Sequence, residues 1–409
     1  MITKKPGQNL SLIYMGNFLD FFEFSMFATV FPFLSKIFFP QISHGLSVVL
    51  SFLLFSVGFM ARPLGVLLLG GLGDKINRRT LLSLSIFGIS FSTLLMAFAP
   101  AYEYFGYLGA IMITAGRILQ GIFTGAEYAA SSTYVYEQSG AQNRSVTELI
   151  ASGILGVVIS QLLAAILHTY DLLEPGWRFL FAFVSLFGLW LSYSRLKNLH
   201  EIPIAELTYE QPMKSTAQLF VSCLLIAGIS NGLFHYVTQY FYSHVMLTQN
   251  QDPRISFVLN ATLSFFCAVF LMFWGHQKVI FLPLSLKSLK RSLTILLGVI
   301  IIHGLSLIFK LGTIVVFFTQ ILLILSFQML TYVAMTYMPG FFHPTRRIRT
   351  FGLAIALGNS LLGGASPYFC SQVTYLTGVE NAAVYYFTAL ILLSYFGLKG
   401  VCDGQYRDN

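Results

Sequence analysis

Gly70-Gly71-Leu72-Gly73-Asp74-Lys75-Ile76-Asn77-Arg78-Arg79 is the stretch on which the reading of this chain turns. It follows Arg62-Pro63-Leu64-Gly65 and joins two apolar runs, 46–72 and 80–99. About 20 apolar residues suffice to cross a bilayer, so the stretch reads as a tight turn between two membrane helices. A glycine at a helix end allows close packing, and an acid there can accept from basic groups or face a helix N-terminus. The paired arginines suit the anionic inner face of a membrane. A merely basic loop would have no need of Asp74.

Outward from this turn, further apolar segments lie near 10–38, 106–136, 145–169 and 177–197, then near 216–246, 254–275, 292–309, 313–338, 348–377 and 381–401. With the first two runs these make about twelve transmembrane helices, an all-α integral membrane fold of two six-helix bundles. The longest polar interval, KNLHEIPIAELTYEQPMK at 197–214, separates the halves. Residues 1–198 are expected to form the first bundle, 199–214 a cytoplasmic linker and 215–409 the second bundle. The halves echo each other: basic loops follow the second span of each (GDKINRR; LSLKSLKR) and the fourth (EQSGAQNR; HPTRRIR). Parallel six-helix repeats are a transporter architecture, with the solute site between them near mid-membrane.

Composition agrees. Hydrophobic residues make up 56% of the chain and charged ones only 10%, against roughly 25% charged in soluble domains. The net charge of +8 reflects topology rather than nucleic-acid binding, because the basic residues sit in short loops. With the N-terminus inside, the outer ends hold only Lys36, Arg178, Arg254 and Lys310, whereas the inner ends hold most of the rest, Arg195 and Arg347 included. The positive-inside rule therefore places both termini in the cytoplasm; the expected location is the cytoplasmic (inner) membrane of a bacterium. Cys223, Cys267, Cys370 and Cys402 lack CxxC spacing and read as small buried hydrophobes, so no metal is expected. The first apolar run is too long for a cleaved signal and reads as a retained span.

Charges inside the spans locate the chemistry. Asp20, Glu23, Arg62, Arg117 and Glu127 interrupt apolar segments of the first half, and the second half has essentially none. A charge in hydrocarbon costs at least ~2.5 kcal/mol, so such groups normally face a partner or a watery passage; here they are expected to line a passage between the halves. Asp20 and Glu23 lie one turn apart on one helix face. Arg117, Gln120, Gly121, Thr124, Glu127 or Tyr128, and Ser131 form a stripe on the fourth helix, and an approach of Arg117 to Glu23 is feasible.

These residues carry a resemblance. Gly70 to Arg79 resembles the loop signature of the major facilitator superfamily, GxxxD-(R/K)-x-G-R-(R/K), with Asn77 in place of its last glycine. Gly16-Asn-Phe-Leu-Asp20-Phe-Phe-Glu23-Phe resembles the first-helix pattern of its metabolite:proton symporters, with the two acids exchanged. Gly116-Arg117-Ile-Leu-Gln120-Gly121 with Gly125-Ala-Glu127-Tyr128 is similar to the fourth-helix pattern of that group. The acidic motif is not repeated near 276–291. The resemblance implies proton-coupled symport by alternating access, in a family carrying dicarboxylates, citrate and shikimate, or zwitterions such as proline and betaine.

The expected roles follow. Glu23 is the principal proton site, with Asp20, Glu127 and Arg117 as further coupling candidates; Arg117 also suits a carboxylate-bearing or polycarboxylate solute, citrate-type chelates included. Arg117, Gln120, Asn231, His235, Gln239, Gln328, Tyr332 and Asn359 are candidate solute ligands, and Arg62, Asp74 and Arg78 candidate gating residues. The partners are a small solute, protons and the lipid bilayer, with no cofactor and no nucleic acid, and a monomer is the expected working unit. A zwitterion symporter or an exporter on the same fold is the alternative. With no P-loop, HExxH or GxSxG, neither direct ATP use nor an enzyme is expected.

Overall fold

The computed structural model describes residues 10–40, 53–54, 56–73, 76–139, 143–200, 216–240, 253–276, 286–377 and 382–403. The first half contains α1 (Ser11–Phe38), α2 (Ser56–Gly70), α3 (Arg78–Ala97), α4 (Leu108–Ser139), α5 (Asn143–Thr169) and α6 (Leu173–Asn198). The second contains α7 (Thr216–His235), α8 (Pro253–His276), α9 (Leu286–Ile308), α10 (Thr313–Tyr337), α11 (Arg347–Leu357, extended below) and α12 (Ala382–Asp403). No strand occurs among the described residues. Helices α3 to α7, α9 and α10 are each long and apolar enough to cross a membrane. In hydrocarbon a helix satisfies its own backbone hydrogen bonds, which is why apolar runs of this length adopt it. The expected linker lies almost wholly outside the described residues, as do Asp74 and Lys75.

Three helices depart from regular geometry. α2 breaks at Ala61, just before Pro63, and passes through a π turn at Val66–Gly70. Proline has no N–H to donate and its ring clashes with the preceding turn. α7 passes into a π turn at Tyr236–Tyr240. The expected single span 348–377 is instead α11, a glycine-rich π turn at Gly358–Gly364, and a further helix Ser366–Thr377. π turns within α-helices occur often at functional sites.

Within the first half α1 packs on α5, and α3 on both α4 and α6. α2 and α4 meet backbone to backbone: a methyl group at Gly65 would collide with the Ile122 carbonyl, and one at Gly121 or Gly125 with the carbonyl of Gly58 or Arg62. Small residues permit this approach where lipid offers no hydrophobic drive to association. In the second half α7 packs on α11 and its π turn, and α9 on α10 and α12. The halves join chiefly along α5–α8, and along α11 against α2 and α4. Among the described residues of the second half, buried polarity is uncharged apart from Arg347 at the basic end. His303, fully buried, lies 3.1 Å from Tyr236 Oη through Nε2 and 2.8 Å from Thr319 Oγ1 through Nδ1.

Candidate functional site

On α1, Asp20 and Glu23 both point into the first bundle and are buried. Thr124 of α4 donates to Asp20 Oδ1 at 2.8 Å. Thr93 of α3 and the Gln120 amide donate to Glu23 Oε2 at 2.5 and 2.9 Å, while Glu23 Oε1 has no hydrogen-bond partner. Arg117 Nη1 donates to Gln120 Oε1. The expected approach of Arg117 to Glu23 is therefore made through Gln120, whose oxygen faces the cation and whose nitrogen faces the acid.

The arginines of this cluster rest on aromatic rings. Arg62 Cζ lies 4.0 Å from the Phe59 centroid and 5.4 Å from Phe24. Arg117 Cζ lies 4.1 Å from Phe27 and 5.8 Å from Phe24. Among the described residues neither arginine makes an ion pair, and the Nε of each is unbonded. Two acids and two guanidiniums thus share one buried compartment without a direct salt bridge.

Glu127 occupies a separate compartment. Arg195 Nη1 lies 2.9 Å from one Glu127 oxygen and 3.0 Å from the other, and Ser85 donates to the same carboxylate at 2.5 Å. Arg195 also donates to the carbonyls of Leu12, Ile13 and Leu82. The sequence reading counted Arg195 among the cations of the inner ends; it is instead fully buried, its guanidinium turned into the first bundle against Glu127 and backbone carbonyls. A methyl at Gly16 would strike its guanidinium, which accounts for the first glycine of the α1 motif.

Between the halves lies a cavity lined on one side by Asn17, Phe21, Tyr128 and Ser132, and on the other by Ser230, Asn231, Phe234, Gln328, Thr331 and Asn359. Farther along, its wall turns apolar and sulfur-bearing with Cys223, Met335, Met338 and Phe351. Among the described residues no charged side chain lines it. Of the expected solute ligands, Asn231, Gln328 and Asn359 are on this wall; Arg117, Gln120 and Tyr332 are buried off it. His235 packs against Phe24 and Phe59, ring centroids 5.4 and 5.1 Å away. The side chain of Gln239 lies outside the described residues. Of the charged groups expected to line the passage, none is on this wall: Arg62 stands behind Phe24 and Phe59, Arg117 behind Phe27 and Phe24, Asp20 and Glu23 are buried in the first bundle, and Glu127 is held by Arg195. Asn17, Ser132 and Ser230 were not anticipated; single small polar residues in apolar runs leave no periodic signal.

At the basic end, Arg78 and Arg347 share Glu137. Arg78 Nε donates to Glu137 Oε2 at 3.3 Å and Arg347 Nη1 to Oε1 at 3.1 Å, all three side chains being buried. Arg78 Nη2 also donates to the Pro344 carbonyl across the halves at 3.2 Å. Of the expected gating residues, Arg78 is in this bridge, Arg62 is with the aromatic pair, and Asp74 lies outside the described residues. Glu137 and Arg347 had been read as loop residues. No cluster of His, Cys, Asp or Glu suited to a metal occurs among the described residues.

The family model "Major Facilitator Superfamily" matches residues 13–367. The chain belongs to the major facilitator superfamily. It is a membrane transporter, not an enzyme. It is similar to a putative proline/betaine transporter of Staphylococcus aureus (strain COL), 26% identical over 96% of this chain and 87% of that protein. It is also similar to the citrate-proton symporter of Klebsiella pneumoniae, 26% identical over 61% of this chain and 60% of that one. The fold matches the human organic anion transporter MFSD10 with a TM-score of 0.74 at 15% identity, covering 95% and 98% of the two chains. It matches the proton:xylose symporter XylE at 0.69 and 14%, covering 95% and 94%.

Proposed function

We propose that this transporter couples inward movement of a small carboxylate-bearing organic solute to protons, alternating between inward- and outward-open states. The reading rests on the compartment formed by Asp20, Glu23, Arg62 and Arg117. With all four ionised the compartment is neutral, so a proton taken up by Glu23 leaves one positive charge. A solute carboxylate restores neutrality. Proton and carboxylate then enter together or not at all, since an uncompensated charge in this setting costs several kcal/mol. Glu23 suits the proton site because one of its oxygens is unbonded and its acceptor bonds come from neutral Thr93 and Gln120. In this reading residues 1–198 and 215–409 are the two moving bodies, one copy is the working unit, and the basic end faces the cytoplasm of a bacterial cell.

The cavity favours a zwitterion within that class. Its wall offers amides, hydroxyls and aromatic faces but no charge, and ring faces attract ammonium groups. The relatives named for proline and betaine fit this, while the relative named for citrate fits a plain polycarboxylate. A proteoliposome assay with labelled proline, betaine, citrate and dicarboxylates, with and without an imposed pH gradient, tests the assignment. Glu23→Gln should abolish gradient-driven accumulation while leaving solute exchange intact. Accumulation at the wild-type level in that variant would remove Glu23 from the coupling step.

A further inference from the structure

Two buried guanidiniums whose faces rest on phenyl rings require an explanation. A ring face offsets a buried positive charge less fully than a directly paired carboxylate does. Arg62 and Arg117 have no direct ion pair, each keeps an unbonded Nε, and Asp20 and Glu23 balance them only at longer range. Arg62 lies over an edge-to-face pair, Phe59 and Phe24, with centroids 4.7 Å apart, while Arg117 lies over Phe27 with Phe24 at its margin. That pair is itself held from the second half. His235 of α7 lies against both rings. Ser360 in the π turn of α11 donates to the Phe59 carbonyl at 2.6 Å, and a methyl at Gly364 would collide with the Phe59 ring. The rings thus form a layer one residue thick between cations of one half and the helices of the other.

We propose that Phe24 and Phe59 are solute-site residues: their ring faces stand in for the solute carboxylate at Arg62 and Arg117, and are exchanged for it when α7 and α11 withdraw. Withdrawal of His235 and Gly364 removes the backing that presses Phe59 onto Arg62. The freed guanidiniums then face the opening between the halves, on the far side from the Arg78–Glu137–Arg347 bridge. The lid keeps the cations dry when no solute is bound, which limits ion leak through the cluster. This inference rests on the carboxylate reading above, but it can be tested apart from it.

The test is residue-resolved mass spectrometry of purified full-length protein treated with phenylglyoxal, which modifies accessible guanidiniums. Arg144, with its side chain 63% exposed, is the internal standard, and Arg195, sealed against Glu127, reports an intact fold. Phe59→Leu should raise the modification rate of Arg62 about thirtyfold, the scale of one desolvated cation–π contact, with Arg144 and Arg195 unchanged. Phe24→Leu, the second variant, should raise both Arg62 and Arg117, and it decides the matter if Phe59→Leu exposes Arg195. Unchanged Arg62 reactivity in a variant whose Arg195 stays protected overturns the lid. Citrate or proline should slow the modification in Phe59→Leu. A faster Arg62 reaction that neither solute slows keeps the lid and refutes the carboxylate reading.

Discussion

Gln120 does the work of an ion pair without being charged. It lies between Arg117 and Glu23 and fits both, because an amide presents an acceptor to the cation and a donor to the acid. Gln120→Leu should separate the two, leaving Glu23 with Thr93 alone, and lower coupled uptake while exchange persists; equal loss of both activities would point to a packing role. Hydrogen bonds to charged groups contribute ~1.5–3 kcal/mol each, so thermal unfolding in detergent should also register the change. The Glu127–Arg195 pair predicts a larger cost. Arg195→Met leaves a buried carboxylate with only Ser85 as partner, at ~3–5 kcal/mol, while adding Glu127→Leu should return most of the loss. A double variant no more stable than the single one would mean that Arg195 acts through the Leu12, Ile13 and Leu82 carbonyls instead. At this scale the sequence was legible where spacing carried the information. Asp20, Glu23, Arg117 and Gln120 repeat on helix faces, and the structure brings their side chains into one compartment. Arg195 was misplaced because a cation in the last turn of a span reads as an interfacial charge, and nothing local shows that its side chain turns inward.

Helices α2, α7 and α11 each carry a π turn, and all three lie where the halves meet or beside the cavity. A π turn widens the helix by one residue and changes which side chains face a neighbour. In α11 it sets Asn359 on the cavity wall and Ser360 against Phe59. Such turns leave no hydropathy signal, which is why 348–377 read as one regular span. The glycines did leave a signal, yet their partners were invisible until α2 and α4 were packed. Gly121→Val is expected to force these helices apart at the Gly58 carbonyl, moving Arg117 away from Phe27 and Phe24. Transport should fall to background with the protein still inserted in the membrane, as judged by expression and gel filtration. Wild-type uptake by Gly121→Val would show that the close approach is dispensable.

Across the whole molecule, the two halves are held at opposite ends by unlike chemistry. At one end rings, a hydroxyl and glycine contacts meet around Phe59; at the other, two arginines from different halves share Glu137. Alternating access requires that closing one end be compatible with opening the other, so weakening one closure should shift the population toward opening there. The basic-end bridge can be weakened by one atom exchange. Glu137→Gln keeps the shape but removes an anion shared by Arg78 and Arg347, weakening the attraction that joins the halves there. The cavity wall supplies a natural reporter, since Cys223 lines it while Cys267 and Cys370 do not. Maleimide labelling of Cys223, resolved by mass spectrometry, should accelerate at least about tenfold in Glu137→Gln if the bridge is worth more than ~1.4 kcal/mol. Cys267 should stay unreactive, showing that the bundle itself is intact. Labelling of Cys223 at the wild-type rate would mean that the α5–α8 and α4–α11 packing, not the charge bridge, holds that end shut.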